Sequence, residues 1–294
     1  MGLFRGAGYL AITTLVLLSL VAGSQAKLKD QFTTWTPNGC NYSADGRAVD
    51  LVLRSKNEPY ASMTSKKSWM YGQIGAWIKL ASGNSAGTVT TLYLSSTGNK
   101  HCEFDYEFLG NETGQPYLLH TNIFVDGVGG REQQIRLWFD PTLDYHYYNF
   151  QWNKDLLVFY VDNTPIRMFR NLEGTVTNFL YPKACPMKLY LSMWDGSKWA
   201  TQGGRVKLDW NAAPFIASYK NFRLNGCEAM QDDKAAIHNC QNSTYAAPGE
   251  KFQRMGGTRT KQLREVKNNY VHYNYCDDRP RYPEMPEECK YNVL

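Results

Sequence analysis

The sequence predicts an all-β sandwich, on the basis of three observations. Short runs rich in β-branched and aromatic residues recur from residue 49 to residue 222, and turn-forming clusters separate them. The alternation of strands and helices that is typical of a parallel sheet is absent. With 294 residues, 43% of them hydrophobic and 14% aromatic, the chain is long enough for one large domain with a substantial core.

Residues 1–26 form the first element and have the pattern of a secretory signal peptide. Arg5 precedes an apolar run at residues 11–22, and the small residues Ser24 and Ala26 follow it. The run is short for a membrane span, and an uncleaved anchor is the alternative interpretation. No later stretch reaches about 18 consecutive apolar residues, so we expect a secreted protein without a membrane span.

Six strands are predicted from the β-branched and aromatic runs that follow. They are Val49–Leu53, Gly75–Leu80, Thr88–Leu94, Gln134–Phe139, Leu156–Val161 and Lys188–Met193. Turns are predicted at Ser82–Ser85 and Asp126–Gly130, where glycine and small polar residues cluster. Three tryptophans lie in or beside these runs and are expected in the core: Trp77, Trp138 and Trp152.

A further strand is predicted at residues 101–109, and its two faces differ in chemistry. Side chains alternate between the faces of a strand. One face carries His101, Glu103, Asp105 and Glu107, and the other carries Cys102, Phe104, Tyr106 and Phe108. Three carboxylates on one face repel each other, so this face is either a charged, solvated edge or a functional site. The aromatic opposite face favours a central strand and therefore the functional site.

Paired carboxylates of this kind suit glycoside hydrolysis or transfer, which needs one ionised and one protonated carboxyl group. Glu103 and Glu107 are the candidates, and their Cα atoms should lie about 13 Å apart along an extended strand. Asp105 lies between them; it can hydrogen-bond the nucleophile, and its charge helps to keep the second glutamate protonated. Spacing alone leaves retention and inversion of configuration both open.

The run Glu103-Phe104-Asp105-Tyr106-Glu107-Phe108-Leu109-Gly110-Asn111, followed by residues 113–117 (Thr-Gly-Gln-Pro-Tyr), resembles a family signature. It is similar to the catalytic motif of plant xyloglucan endotransglucosylase/hydrolases in glycoside hydrolase family 16. The resemblance implies a concanavalin-like β-jelly roll and a retaining mechanism. It also implies that Glu103 is the nucleophile, Asp105 its helper and Glu107 the acid/base.

The resemblance also implies residues that bind the sugar chain. The loop from Trp194 to Gly204 resembles the acceptor-side loop of the family, which would place Trp194 and Trp199 on the sugar and Gly203 in the same loop. The other predicted substrate-binding residues are Tyr93, Gln115, Asn122, Gln134 and Ser62. Gln134 stands where the family has Arg or Gln, and Ser62 stands where Gly is usual, so both are expected to affect donor choice.

Seven cysteines in a secreted chain are compatible with disulfides. The resemblance implies the pairs Cys227–Cys240 and Cys276–Cys289. Cys40, Cys102 and Cys185 remain, and Cys102 is predicted to be an inert buried thiol because it faces the core. Sequons occur at Asn41, Asn111 and Asn242, and the resemblance makes Asn111 the strongest of these predicted glycosylation sites.

The predicted domains are a catalytic jelly roll at residues 27–222 and a C-terminal extension at residues 223–294. The extension contains basic, helix-like spacing from Gln253 to Asn269. By resemblance, it lengthens the acceptor side of the cleft.

The leading functional hypothesis is a retaining endo-transglucosylase that cuts a β-1,4-glucan, xyloglucan first, and joins it to another chain for remodelling of the plant cell wall. The alternatives are a donor range that includes cellulose or mixed-linkage glucan, a xyloglucan hydrolase, and a secreted glucan-binding lectin. The partners are a polysaccharide donor and an oligo- or polysaccharide acceptor. We expect no metal site, because the five His are scattered along the chain. We also expect no cofactor and a monomeric protein. The formal net charge of +5 without a dense Lys/Arg face argues against nucleic acid.

Overall fold

The computed structural model describes residues 26–247 and 257–292. The strands in this part of the chain are β1 (Phe32–Thr34), β2 (Cys40–Tyr42), β3 (Ala48–Leu53), β4 (Tyr60–Lys79), β5 (Thr88–Ser95), β6 (Glu103–Leu109), β7 (Leu118–Phe124), β8 (Gln133–Arg136), β9 (His146–Trp152), β10 (Leu156–Val161), β11 (Thr164–Arg170), β12 (Met187–Asp195), β13 (Phe215–Glu228) and β14 (Val271–Asn274). The α-helices are α1 (Leu28–Gln31), α2 (Lys234–Gln241), α3 (Gly257–Asn269) and α4 (Cys289–Asn292). Short 3₁₀ helices occur at Pro37–Gly39, Thr201–Gly204, Trp210–Ala212 and Tyr275–Asp277.

The strands form two packed layers that share the long strand β4. The front sheet has the order β1-β4-β12-β5-β6-β7-β8-β14, and the back sheet has the order β2-β3-β13-β4-β9-β10-β11. All pairings are antiparallel, with β12 on the first half of β4 and β9 on the second half. The all-β sandwich predicted from the sequence is therefore confirmed.

Strand β4 passes from the front sheet to the back sheet at Tyr71 and Gly72. Both residues have a positive φ, of 64° and 123°. A Cβ atom at Gly72 would lie 2.3 Å from the carbonyl oxygen of Asn225. Glycine is required there, because it tolerates this backbone conformation and leaves room for the neighbouring strand.

Aromatic rings between the two sheets fill the core. Phe104, Tyr106 and Phe108 point inward from β6 and are fully buried. The Tyr106 ring centroid lies 4.8 Å from that of Phe150 on β9 and 5.3 Å from that of Phe159 on β10. These contacts join strands that are not neighbours in either sheet, so they fix the position of β6 within the sandwich.

Most predicted strands are present, but one is shorter than expected and two tryptophans lie elsewhere. The predicted strand Gln134–Phe139 ends at Arg136. Trp152 is in the core, with 2% of its surface exposed, whereas Trp77 is 37% and Trp138 36% exposed. The core prediction was wrong for Trp77 because Ile74, Ala76 and Ile78 occupy the inward positions of β4, and strand alternation turns Trp77 outward.

Three disulfides are present in the described part of the chain. Cys227–Cys240 and Cys276–Cys289 are the two pairs that the resemblance implied. The third joins Cys102 to Cys185, so the prediction of a buried thiol at Cys102 was wrong. Cys102 does face the core, but the segment before β12 brings Cys185, 83 residues away, to the same point. Cys40 is a buried free thiol.

The C-terminal extension adds to both sheets. Strand β13 runs without a break across residue 222, so the predicted domain division falls inside a strand of the back sheet and stays a prediction. Helix α3 packs Leu263 against Leu156, Val158, Tyr160 and Met168. Strand β14 pairs with β8 and becomes the edge of the front sheet.

Two predicted segments extend beyond the described residues. The predicted signal peptide lies outside them except for Ala26, and so does the beginning of the predicted helix at residues 253–256. Among the described residues, no helix combines the length and the apolar character needed to cross a membrane.

Candidate active site

Antiparallel pairing arranges the polar side chains of the front sheet in rows that cross the strands. Glu107 lies opposite Thr91 of β5 on one side and His120 of β7 on the other. Asp105 lies between Tyr93 and Asn122 in the next row, and Glu103 between Ser95 and Phe124 in the row after that. Residues paired across strands point to the same face, so the three carboxylates and their neighbours share the outer face of the front sheet.

An open groove lies above these rows, with a cavity volume of about 500 Å³. Its lining comprises Tyr60, Thr91, Tyr93, Glu103, Asp105, Glu107, Asn122, Phe124, Ser192 and Trp194. The structure therefore brings together all three predicted catalytic carboxylates with the predicted binding residues Tyr93, Asn122 and Trp194.

Asp105 is the most buried of the three carboxyl groups, with 7% of its surface exposed. Burial, followed by the negative charges of Glu103 and Glu107, raises the pKa of Asp105 well above its usual range, and nearby Arg167 opposes this only in part. Asp105 is hydrogen-bonded to Glu103. Protonated Asp105 is the donor in this hydrogen bond, and a carboxylate oxygen of Glu103 accepts it.

Glu107 has a different environment. Burial is the main cause that raises its pKa to about 7, and the charges of Glu103 and Glu132 add to the effect. Its side chain is 23% exposed, so it still reaches the groove. Near neutral pH a substantial fraction of Glu107 is protonated, as a general acid requires.

His120 belongs to the site, although the sequence reasoning missed it. Its Nε2 lies 3.7 Å from Oε2 of Glu107, and Nε2 of Gln134 lies 3.1 Å from its Nδ1. Burial lowers the pKa of His120 to about 4, so the ring is neutral. The Gln134 amide can only donate in this contact, which leaves the imidazole proton on Nε2, facing Glu107. The position of His120 opposite Glu107 depends on the register of β7 against β6, which no local pattern of residues predicts.

Aromatic rings lie beside the carboxylates and toward the Glu107 end of the groove. The rings of Tyr93 and Tyr190 stack with centroids 4.8 Å apart. Beyond Glu107, the Trp194 and Trp199 centroids are 6.2 Å apart, and Trp199 lies 5.8 Å from His120. Such rings suit the faces of pyranose sugars.

The loop that carries Trp199 turns at residues 202–204, and glycine is needed at one of these positions. Gly203 has a positive φ of 68°, and Gly204 has one of 83°. A Cβ atom at Gly204 would lie 2.2 Å from the carbonyl oxygen of Lys198, whereas a Cβ at Gly203 would meet nothing within 4 Å. Close packing of this loop therefore depends on Gly204 more than on the predicted residue Gly203.

Five predicted binding residues are absent from the groove lining, and two of them, Trp199 and Gly203, belong to the loop described above. Gln115 lies in the loop after β6, in a separate depression with Trp138. Ser62 is in the same row as Glu107, but it is paired with Ser192 and is 4% exposed. Gln134 contacts His120, so it reaches the carboxylates through that ring.

Asn122 is held with its amide toward the groove. Its Oδ1 accepts hydrogen bonds from the backbone amides of Ile123 and Arg131. This leaves the Nδ2 group as the donor that faces the groove.

Comparison with protein families identifies the class first. Residues 27–212 match the glycosyl hydrolases family 16 model, and residues 240–289 match the C-terminal model of xyloglucan endo-transglycosylase. The fold and the row of carboxylates thus belong to a family 16 enzyme.

Similar proteins then give the particular family. A probable xyloglucan endotransglucosylase/hydrolase of Nicotiana tabacum is 44% identical over 261 residues, 89% of this chain and 87% of that protein. Xyloglucan endotransglucosylase protein 2 of Diospyros kaki is 42% identical over 295 residues, 99% of this chain and 98% of that protein. The chain belongs to the xyloglucan endotransglucosylase/hydrolase family.

Solved structures support the fold. The Crh5 transglycosylase aligns with a TM-score of 0.57 at 22% identity, covering 70% of this chain and 82% of that chain. The Bacillus licheniformis β-glucanase aligns with a TM-score of 0.52 at 22% identity, covering 67% and 92%. The jelly roll implied by the resemblance is confirmed.

Proposed function

We propose that this protein is a retaining endo-transglucosylase that cuts a β-1,4-glucan backbone, with xyloglucan as the main donor, and joins it to a second glucan chain. The observation that carries the proposal is the arrangement of Glu103, Asp105 and Glu107 along one strand at the bottom of an open groove. The carboxyl groups differ because their surroundings differ. Buried Asp105 donates a hydrogen bond to Glu103, whereas burial raises the pKa of Glu107 to about 7.

In the first step, Glu103 attacks the anomeric carbon of a backbone glucose while Glu107 gives its proton to the glycosidic oxygen. The bond from that carbon to the oxygen breaks, and the departing chain leaves with a free 4-hydroxyl group. The donor half stays on the enzyme as an ester of Glu103.

In the second step, Glu107, now a carboxylate, removes the proton from the 4-hydroxyl of an acceptor chain. The acceptor oxygen attacks the same anomeric carbon and releases Glu103, so the configuration is retained after two displacements. Water in place of the acceptor gives hydrolysis, the nearest alternative.

Transfer prevails over hydrolysis when the acceptor is held at high effective concentration. Trp194 and Trp199 lie beyond Glu107, which is the side where a leaving chain or an acceptor would bind. Strand β14 of the extension widens the sheet beyond β8 on the edge past Glu107 and His120. These features support transfer, as do the names of the relatives.

Donor choice is the finer part of the proposal. Because Ser62 and Gln134 lie outside the groove lining, their effect on cellulose or mixed-linkage glucan as donors would be indirect, through the Glu107 row and His120. Glycosylation at Asn41, Asn111 and Asn242, secretion to the cell wall, and a monomeric state complete the proposal.

The test uses labelled xyloglucan oligosaccharide acceptors with xyloglucan, cellulose and mixed-linkage glucan as separate donors. Glu103→Ala should reduce transfer on the order of 10⁴-fold or more, because the nucleophile is lost. Glu112→Gln, which removes an exposed carboxylate just after β6, is the matched control and should retain activity. Full activity of Glu103→Ala would overturn the assignment of Glu103 as the nucleophile, whereas glucan binding without any turnover in the wild type would support the lectin alternative.

A further inference from the structure

A second groove lies on the outer face of the back sheet, on the opposite side of the sandwich from the carboxylates. Its cavity volume is about 530 Å³, and strands β4, β9, β10 and β13 form it together with helix α3. Trp77 and Tyr147 face each other across β4 and β9, and their rings stack with centroids 5.9 Å apart and an interplanar angle of 30°. Because Trp77 is 37% exposed, this pair offers a flat aromatic platform to solvent.

The floor beside this platform is flat because position 75 has no side chain. Gly75 lies between Gln73 and Trp77 on the outer face of β4 and pairs with Asn149. A Cβ atom there would lie 2.2 Å from the carbonyl oxygen of Tyr148 and 2.4 Å from Cβ of Asn149. The missing side chain leaves a trough between the amides and the aromatic rings.

Polar groups line this trough in a fixed order. Nη1 of Arg223 donates to Oε1 of Gln73 at 2.7 Å, and Nε2 of Gln73 donates to Oδ1 of Asn149 at 3.1 Å. Gln151 and Asn163 add further amides to the lining. Planar amides and guanidinium groups match the hydroxyl groups of sugars.

The phenol of Tyr160 also lines the trough and is a candidate contact for a ligand. Tyr160 is 5% exposed, and among the described residues its hydroxyl oxygen has no hydrogen-bond partner. Burying a hydroxyl group without a partner is costly. A bound molecule with hydroxyl or carboxylate oxygens would supply that partner.

Positive charge predominates around the trough. The charged residues of its lining are Arg223, Arg259 and Asp162, and Asp162 faces Nδ1 of His146 at 2.9 Å. Next to Trp77, the Nζ atoms of Lys220 and Lys79 lie 3.7 and 5.7 Å from the centre of the Tyr145 ring. Asp50 lies on β3, one strand beyond β13. The balance favours an anionic ligand.

We propose that this groove binds an acidic polysaccharide rich in uronic acid residues. Sugar faces rest on Trp77 and Tyr147, hydroxyl groups bond the amides and Tyr160, and carboxylates bind Arg223 and its neighbouring cations. The polar lining does not suit an apolar helix. The site would anchor the protein to a charged matrix polymer while the front groove binds the neutral glucan. This proposal does not depend on the proposed catalytic function.

The experiment measures binding of polygalacturonate to the full chain carrying Glu103→Gln, so that glucan turnover does not intervene. Adding Trp77→Ala or Arg223→Gln should weaken binding about tenfold or more, equivalent to one decade in Kd. Lys100→Gln, which removes one positive charge from the turn between β5 and β6, is the matched control and should change Kd less than twofold. Added salt should weaken binding, and highly methyl-esterified polygalacturonate should bind poorly, since both reduce the charge attraction.

Several outcomes would overturn the proposal. They are no binding of polygalacturonate, unchanged binding in both groove variants, an equal loss in Lys100→Gln, or displacement by a xyloglucan oligosaccharide, which would place the polymer in the front groove. If Trp77→Ala lowers the midpoint of thermal unfolding, Trp77→Phe is used in its place to separate loss of binding from loss of stability. That variant keeps an aromatic platform and should retain binding, and a full loss in a folded Trp77→Phe protein together with normal binding by Arg223→Gln would also reject the site.

Discussion

At the scale of single residues, the three carboxyl groups of the candidate site are chemically similar but have different surroundings. Asp105 is buried at the bottom of the groove, and its pKa is raised well above its usual range, whereas Glu107 stays partly exposed and its pKa is raised to about 7. Buried Arg167 donates to the backbone and hydroxyl oxygens of Thr121, so its charge lies below the row rather than in the groove. The pKa values of the carboxyl groups therefore depend more on how deeply each group is buried than on direct ion pairs.

Glu107 leads to a prediction on pH dependence. Transfer needs its protonated form in the first step, so activity should fall as pH rises through about 7, approaching tenfold per pH unit at higher pH. The stability of the fold should change in the same direction as activity. A carboxyl group whose pKa is raised on folding stabilises the folded protein at low pH, and this contribution is lost as pH rises through about 7. The measurement is a pH profile of kcat/KM between pH 5 and 9.

Glu112→Gln should leave this profile unchanged, since Glu112 is exposed in the loop after β6. A flat profile up to pH 9 in the wild type would contradict the assignment of Glu107 as the acid.

Much of this residue-level chemistry could be read from the sequence, because strand alternation alone places Glu103, Asp105 and Glu107 on one face. His120 could not be read in the same way. Its position opposite Glu107 depends on the register of β7 against β6, and a shift of one residue would have turned it into the core.

At the scale of elements, the extension is fastened to the front sheet close to the site. Tyr275 donates its backbone amide to the carbonyl of Glu132, and Arg281 pairs with the Glu132 carboxylate through Nη1 at 2.7 Å and Nη2 at 3.2 Å. Arg131 pairs with Glu288 at 3.4 Å. The residues just before β8 are therefore held by both ends of the disulfide-closed segment Cys276–Cys289.

Arg281→Ala tests this attachment. Losing the two-point contact should lower the free energy of unfolding by about 1 kcal/mol or less, because Arg281 is 44% exposed and solvent screens the pair. The unpaired charge of Glu132 should also raise the pKa of Glu107, and the alkaline limb of the pH profile should move upward.

Arg279→Ala removes another exposed arginine of the same turn and serves as the control. Denaturant unfolding and the pH profile are the two measurements. Equal effects of the two variants on both would show that the pair with Glu132 is not responsible.

Element positions were predicted better than element ends. The run Gln134–Phe139 looked like one strand, but pairing with β7 stops at Arg136 and pairing with β14 stops at Ile135. For Trp77 the difficulty is which face of the strand the side chain is on. Its apolar character favoured the core, but Ile74, Ala76 and Ile78 occupy the inward face of β4, so Trp77 lies on the outer face.

At the scale of the whole molecule, the Cys102–Cys185 disulfide joins the residue just before β6, the strand of carboxyl groups, to the segment before β12. The bond closes a long loop, with a sequence separation of 83. Chain-entropy arguments assign about 4 to 5 kcal/mol to a loop of this size, more than to the separations of 13 in the extension.

Replacing Cys102 and Cys185 together by Ser should therefore lower the free energy of unfolding by about 2 to 5 kcal/mol. Cys227→Ser with Cys240→Ser is the matched control, which opens a short loop and should cost less. Chemical denaturation under non-reducing conditions gives both values. A larger loss for the short loop would contradict the loop-length argument.

The sequence by itself determined the sandwich class, the strand that carries the three carboxyl groups and the family signature, because these depend on local alternation and on contiguous motifs. It also pointed to secretion, through the predicted signal peptide at residues 1–26, which lies outside the described residues except for Ala26. The resemblance implied two of the three disulfides that the described residues form, Cys227–Cys240 and Cys276–Cys289.

The tertiary structure alone decided what depends on contacts between distant segments. It placed His120 and Gln134 behind Glu107, joined Cys102 to Cys185, and moved Gln115 away from the groove. It also assembled the second groove from four strands and a helix. Strand register, the crossing of β4 between sheets and the packing of the extension set these contacts, and no local pattern of residues encodes them.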